Sequence, residues 1–209
     1  MPADQPPAED ADLAVLVGAT VREHRDRAGL SMRALAARAG ISQPFLSTIE
    51  RGLSSPSMST LYRIATGLGV APGDLLPGPA RPSPGTGAAG GPAAPQVTVV
   101  RSADAVPLPA SDEPGAAVGL ARLARPGLGL EVVEYRVRSG EHLGSWFDAP
   151  GEMAVLVLAG LLDVEVAGAG TWRLGAGDLL HQPGHLPHRW SAAGDAGAHL
   201  VLVGSRRPA

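Results

Sequence analysis

The spacing of apolar residues changes character once along the chain. Over residues 13–76 apolar positions recur every three or four residues, the spacing of amphipathic helices. After residue 96 they alternate with polar residues in short segments that end at Gly, Pro or Asp, which is typical of antiparallel strands. The clearest of these segments are 131–140, 153–160, 161–170, 171–178 and 198–205. The pattern predicts an all-α domain followed by an all-β domain.

Two segments have compositions that cannot support a packed core. Residues 77–95 consist almost wholly of Pro, Gly, Ala and Ser, so they are predicted to form a linker between the domains. The first twelve residues are acidic and Pro-rich, which predicts a disordered tail. The predicted organisation is a tail at 1–12, a helical domain at 13–76, a linker at 77–95 and a β domain at 96–209.

The strongest helix signals lie within residues 31–52. Ser31 is a good N-cap, Gly40 allows the left-handed conformation that ends a helix, and Ser42 can cap a second helix. Pro44 falls in the first turn of that helix, where its missing N–H costs nothing. The predicted core across the turn consists of Leu35, Ala36, Ala39, Ile41, Leu46 and Ile49. By spacing alone, such a helix pair is either a DNA-binding helix-turn-helix or an ordinary αα-hairpin.

The stretch GISQPFLSTIERGLSSPSMSTLYRIATGLGV closely resembles the phage-repressor-like helix-turn-helix family, of the type that binds xenobiotic response elements. The resemblance covers residues 13–76. It implies a five-helix domain whose second helix of the motif enters the major groove of a double-stranded DNA operator. It also implies an ion pair between Arg25 and Glu50 within the domain.

Positions in the motif predict how the domain contacts DNA. The Gln43 amide can pair with an adenine edge, and Pro44 and Phe45 can pack on a thymine methyl group. Arginines and hydroxyls around the motif are candidates for phosphate contacts, which position the domain without reading sequence. The predicted DNA-binding residues are Arg33, Ser42, Gln43, Pro44, Phe45, Ser47, Thr48, Arg51, Ser57 and Thr60.

Charge is divided unevenly between the two halves. The net charge is only −3, but residues 20–63 hold seven arginines against three acidic residues. From residue 96 onward nine arginines face twelve acidic residues. The basic helical segment suits a nucleic-acid partner. The chain has no cysteine, no apolar run long enough to span a bilayer and no pattern of a signal peptide, so we expect a cytoplasmic protein without a membrane partner.

Three histidines lie close together in HQPGHLPHRW, residues 181–190, and raise the question of a metal site. They belong to GDLLHQPGHLPH (177–188), which, with GEHLGSWFDAPGEMAVLVLAG (140–160), resembles the cupin superfamily. The resemblance covers roughly residues 96–205. It implies a small jelly-roll barrel with a pocket that opens at one end.

The resemblance also bears on metal binding. Metal-binding cupins supply two histidines and a glutamate from the first motif and one histidine from the second. Here the first-motif positions fall near Trp146, Asp148 and Met153, and only His188 matches. We therefore predict no metal and no cofactor, although His188 leaves a metal as the alternative. The pocket is predicted to bind a small organic effector through His142, Trp146, Asp148, Glu152, Met153, His181, His188 and Trp190.

Three functions are compatible with this domain order. The preferred one is a transcription regulator that is not an enzyme, in which a homodimer binds DNA and the barrel senses an effector. The alternative is a metal-dependent cupin enzyme, an isomerase or dioxygenase, fused to a DNA-binding domain. In a third, the barrel only forms the dimer and senses nothing.

Overall fold

A computed structural model describes residues 8–76, 99–122 and 130–205. The predicted linker and most of the predicted tail lie outside these residues. The described part has a helical domain followed by a β-rich domain, as the apolar pattern predicts. Helix α1 begins at Ala8, five residues before the predicted start of the helical domain. No helix among the described residues has the length and apolar character needed to cross a membrane.

The helical domain contains α1 (Ala8–Arg27), α2 (Met32–Ala39), α3 (Gln43–Glu50) and α4 (Met58–Leu68). The predicted caps are confirmed. Ser31 Oγ accepts a hydrogen bond from Ala34 N at 3.1 Å, and Ser42 Oγ accepts one from Phe45 N at 3.2 Å. Gly40 ends α2 at φ 62°, a left-handed conformation that costs a glycine little.

The prediction of five α-helices is wrong by one helix. After α4 ends at Leu68, capped by Gly69, the chain forms a single 3₁₀ turn, Pro72–Leu75, instead of a fifth α-helix. Only four residues take part, and Leu76 is already extended. Such a segment is too short to form the cooperative turns of an α-helix.

The helices pack around a common core in which α1 and α3 approach closely. A Cβ atom built on Gly18 of α1 would lie 2.2 Å from the carbonyl oxygen of Ile49 in α3. Gly18 therefore allows the two backbones to touch. The implied ion pair is confirmed, because Arg25 Nε and Nη2 donate to the two carboxylate oxygens of Glu50 at 2.7 and 2.9 Å. The fully buried members of this core include Val17, Val21, Leu35, Leu46, Ile49, Leu61 and Ile64.

The β domain contains nine strands among the described residues. They are β1 (Val106–Pro109), β2 (Val118–Ala121), β3 (Leu130–Val137), β4 (Glu152–Gly160), β5 (Leu162–Val166), β6 (Gly170–Leu174), β7 (Leu179–Pro183), β8 (His188–Ala192) and β9 (Ala198–Ser205). One sheet has the order β1-β2-β3-β9-β4-β7, and the other has the order β6-β5-β8. All pairings within the sheets are antiparallel. The five strand segments predicted from alternation correspond to β3, β4, β5, β6 and β9.

The two sheets enclose an apolar interior, as a small barrel requires. Alternate residues of the long strands point inward, so β3, β4 and β9 show a regular buried–half-buried pattern. A short bridge between Phe147 and His188 ties the loop before β4 to the smaller sheet. Inward residues of the two sheets include Val133, Tyr135, Met153, Val155, Leu162, Val164, His188, Trp190, Leu200 and Leu202.

Candidate DNA interface and barrel site

Helix α3 presents its N-terminal residues to solvent. Leu46 and Ile49 are buried on one side of the helix, which leaves Gln43 and Pro44 exposed on the other. Phe45 is half-buried against the core. This is the division that a recognition helix needs, because the residues at its N-terminal end are the ones that reach base edges.

The remaining residues predicted around α3 differ in what their polar atoms are free to do. Arg33 and Arg51 are both exposed basic residues of the same domain. The Thr48 hydroxyl donates to the carbonyl of Phe45 at 2.7 Å, so its proton is already used within the helix. Ser47 is half-buried, and Ser42 is committed to capping α3.

Ser57 and Thr60 do not lie on an open surface. Both residues are fully buried where the N-terminal end of α4 meets the β domain. Ser57 N donates to Asp112 Oδ1 at 3.1 Å, and Thr60 Oγ1 donates to Asp112 Oδ2 at 2.5 Å. Arg63 Nη2 lies 3.7 Å from the same carboxylate. In this arrangement neither predicted phosphate contact is accessible, because a carboxylate of the β domain occupies the donors.

Of the predicted pocket residues, His188, Trp190 and Met153 lie in the barrel interior. His188 is fully buried, and its ring lies 4.0 Å from that of Phe147 between centroids. Trp190 packs edge-on to Phe147 at 5.1 Å. Met153 lies beside Gln182 in the pairing of β4 with β7.

The surroundings of His188 favour its neutral form. Burial lowers the pKa of this imidazole below 6.5, and the hydrogen bond to Leu186 O and the charge of Asp148 offset only part of the effect. Nδ1 lies 2.7 Å from that carbonyl, so the neutral ring donates from Nδ1. Nε2 is then an acceptor.

The other five predicted pocket residues lie outside the interior. Trp146 is 41% exposed and stacks under the Arg189 guanidinium, 4.9 Å from its ring centroid. His181 and Glu152 form a surface pair at 3.1 Å. His142 bonds to the backbone of Pro114 and Gly144.

Asp148, the fifth of these residues, is exposed and lines a cavity of about 350 Å³ between the two domains. Trp146 lines the same cavity. The predicted pocket therefore divides into an interior set and a set of surface residues.

Four buried polar atoms in the barrel have no hydrogen-bond partner within the described structure. They are Nε2 and Oε1 of Gln182, Nε2 of His188 and Nε1 of Trp190. The sequence does not predict Gln182 as a buried residue. Leu179 and Leu180 of β7 are adjacent, so their pattern does not show which alternate residues of this strand face the interior. Leaving the hydrogen bond of a buried group unmade costs about 1–3 kcal/mol, so each of these atoms would be stabilised by a partner.

The donor set for a metal ion is incomplete. Within the three described ranges, no group of three or more His, Asp or Glu side chains is placed to hold a metal ion. His188 is the single inward histidine of the motif, and its neighbours in the interior are aromatic or apolar. The residues present therefore do not fit a cupin metal centre.

Comparisons with known proteins agree with this architecture. The family described as "Helix-turn-helix domain" matches residues 16–77, and the family described as "Cupin domain" matches residues 134–204. The uncharacterized HTH-type transcriptional regulator y4dJ of Sinorhizobium fredii is 40% identical over 65 residues, which are 31% of this chain and 84% of y4dJ. The uncharacterized HTH-type transcriptional regulator Rv0474 of Mycobacterium tuberculosis is 49% identical over 53 residues, 25% of this chain and 38% of that protein.

The comparison with solved structures also covers the β domain. The crystal structure of an HTH_3 family transcriptional regulator from Vibrio cholerae covers 95% of this chain and 99% of its own, with a TM-score of 0.67 and 22% identity. At that identity the likeness shows the fold alone. Fold and sites define a protein with a helix-turn-helix domain joined to a cupin domain. The chain belongs to the HTH-type transcriptional regulators.

Proposed function

We propose that the protein binds double-stranded operator DNA through α3 and that the cupin barrel binds a small, uncharged organic effector. The unpartnered polar atoms of Gln182, His188 and Trp190 are the observation that supports effector binding. A homodimer presents two recognition helices to a symmetric operator, since one helix covers only a few base pairs. The cytoplasmic location remains a prediction from the sequence.

The DNA contacts divide into those that read sequence and those that position the domain. Gln43, Pro44 and Phe45 would read base edges from the exposed N-terminal end of α3. Arg33 and Arg51 would contact phosphates, because both are exposed cations of the same domain. Thr48 would reach the groove only through its methyl group or as an acceptor, because its hydroxyl donates to Phe45 O, whereas the Ser47 hydroxyl would contact DNA directly.

The polar atoms of the barrel define the chemistry of the effector. Trp190 Nε1 offers a donor, His188 Nε2 offers an acceptor, and the Gln182 amide offers one of each. A ligand that contains both an acceptor and a donor would satisfy them. The neutral state of His188 and the aromatic ring of Phe147 favour an uncharged, planar molecule.

The two rival functions make different use of the same barrel. A metal-dependent enzyme would need ligands that the interior does not supply, so we propose that the protein is not an enzyme. A purely dimerising barrel has one observation in its favour, because its interior is packed with its own aliphatic and aromatic side chains. Exposed Leu158, Leu161 and Leu179, at the β4–β5 connection and the start of β7, offer an apolar face for that dimer contact.

Native mass spectrometry of freshly purified full-length protein tests the effector proposal. We expect a dimer mass and a retained small molecule that is lost in Gln182→Met, which keeps the side-chain volume but removes both polar atoms. His181→Asn is the control, since His181 lies on the same strand with its side chain 58% exposed. Equal retention in Gln182→Met and the wild type would rule out this site. Absence of a retained molecule together with a stable dimer would favour the dimerising barrel.

A selected DNA duplex tests the other half of the proposal. Duplexes enriched from a random pool by the full-length protein should bind far more tightly than scrambled ones at physiological salt, by about 1,000-fold or more. Equal binding of the two would contradict sequence-specific recognition.

A further inference from the structure

Helix α4 of the DNA-binding domain closes one end of the cupin barrel. Met58, Ser59 and Tyr62 line a cavity there together with Trp190 and Phe147 of the barrel. Met58 is buried, and the Tyr62 hydroxyl donates to Glu131 at 2.5 Å at the same end of the barrel. We call this surface the interdomain contact. It consists of the hydrogen bonds of α4 to Asp112 and Glu131 and the packing of Met58 and Tyr62 over the barrel.

The cavity between α4 and Trp190 is too small for an organic effector. Its volume of about 30 Å³ has room for only about two water molecules. Pockets for small organic ligands occupy about 300–1,000 Å³. Trp190, whose Nε1 is unpartnered, forms part of the wall. The cavity of about 350 Å³ between the domains shares Tyr62 and Phe147 with this small cavity but is not lined by Trp190. An organic ligand that reaches Trp190 Nε1 from the α4 side must therefore displace Met58 and Tyr62.

The interdomain contact also covers a surface suited to DNA. The backbone N–H groups and hydroxyls at the start of a helix, with an arginine beside them, form an anion-binding arrangement, and a DNA phosphate is an anion. Ser57 N, Thr60 Oγ1 and Arg63 supply this arrangement at the end of α4 that follows the recognition helix. The carboxylate of Asp112 already occupies it, so a phosphate and Asp112 compete for the same donors.

We propose that the interdomain contact inhibits DNA binding, and that an effector entering the barrel and a DNA phosphate both favour the arrangement in which α4 has left the barrel. This inference rests on the proposed function. It adds the position of the effector's entrance and the direction of regulation. Because the two ligands favour the same open arrangement, each raises the affinity for the other.

Adjacent acidic residues supply a matched test. Asp112→Ala removes the carboxylate that bonds to α4, and Glu113→Ala removes the same charge from an exposed side chain one residue further on. Two charge-assisted hydrogen bonds on a partly exposed carboxylate favour the closed arrangement over the open one by about 5- to 30-fold. Because only the open arrangement binds DNA in this proposal, loss of these bonds raises the apparent DNA affinity by the same factor. We expect Asp112→Ala to bind the selected duplex that much more tightly, and Glu113→Ala to bind within about twofold of the wild type.

Fluorescence anisotropy of the labelled duplex with full-length protein measures these affinities. Unchanged or weaker binding by Asp112→Ala, or an equal gain in both variants, would overturn the inference. A failure of the proposed function would look different. The wild type, Asp112→Ala and Glu113→Ala would then each bind selected and scrambled duplexes equally. Circular dichroism establishes that each variant is folded before its affinity is compared.

Quenching of Trp190 by acrylamide tests whether α4 leaves the barrel. Trp146 and Trp172 are each 41% exposed, so Trp146→Phe with Trp172→Phe leaves a buried Trp190 as the sole tryptophan. We expect the quenching constant to rise on adding duplex and on introducing Asp112→Ala, toward that of a variant that retains only Trp146. A constant that stays at the unliganded value in both cases would overturn the displacement of α4.

Discussion

The ion pair between Arg25 and Glu50 provides the sharpest test of how the DNA-binding domain is held together. Its side chains are 12% and 4% exposed, and two hydrogen bonds of 2.7 and 2.9 Å join α1 to the end of α3. Glu50→Gln keeps the shape but removes the charge and places an amide donor against guanidinium donors. We expect the helical domain to lose about 2–4 kcal/mol of its free energy of unfolding.

The other partners of Arg25 limit that loss. Its Nη1 also donates to Asp26 at 2.6 Å and to Leu30 O at 3.1 Å, so the guanidinium does not become wholly uncompensated. For a domain of this size, a loss of that magnitude lowers the melting temperature by about 10–25 °C. Glu23→Gln is the control because the Glu23–Arg27 pair lies on the surface of α1. We expect its effect to stay below about 0.5 kcal/mol.

Urea unfolding, followed by two signals, measures this difference. All three tryptophans lie in the β domain, so circular dichroism at 222 nm follows the helices and tryptophan fluorescence follows the barrel. We expect Glu50→Gln to move mainly the circular dichroism transition. If Glu50→Gln and Glu23→Gln cost the same within about 0.5 kcal/mol, the ion pair does not stabilise the domain as its burial indicates.

Three further predictions concern packing, pH and recognition. Gly18→Ala should destabilise the helical domain by about 1–3 kcal/mol, measured in the same urea experiment, because its Cβ would force α1 away from Ile49 O; no loss would mean that the helices separate freely. The pKa of His188 is lowered in the folded state, so the unfolded state binds more protons as the pH falls below 6.5. The free energy of unfolding should therefore fall there by up to about 1.4 kcal/mol per pH unit relative to His188→Phe. Parallel plots of unfolding free energy against pH for the two proteins would contradict this. Gln43→Ala should lose discrimination between the selected duplex and its adenine substitutions, whereas Arg51→Ala should weaken all duplexes alike; the reverse pattern would exchange their proposed roles.

Local signals in the sequence predicted the local structure well. The caps at Ser31 and Ser42 and the glycine stop at Gly40 depend on residues within one helical turn, and all three are confirmed. Alternation identified β3 and β9 because one face of each strand is buried. The prediction of a fifth α-helix was wrong, because a likeness to a family does not determine whether a segment as short as Pro72–Leu75 forms an α-helix or a 3₁₀ turn.

Contacts between distant residues could not be predicted in the same way. Asp112 lies in the turn between β1 and β2, more than fifty residues from Ser57, and nothing in its local sequence marks it as a partner of α4. The buried position of Gln182 depends on the register of β7 with β4, which the apolar pattern of β7 does not determine. The sequence of the helical domain predicts phosphate contacts for Ser57 and Thr60 because it contains no signal of the β domain that covers them.

The interdomain contact joins the two domains directly. Asp112 of the β domain contacts Ser57 and Thr60 of α4 without any step through residues 77–95, which lie outside the described residues. A charge-assisted hydrogen bond contributes more than the roughly 0.6 kcal/mol by which doubling the length of a connecting loop changes the free energy of its closure. Regulation by direct docking therefore does not require a rigid connection between the domains.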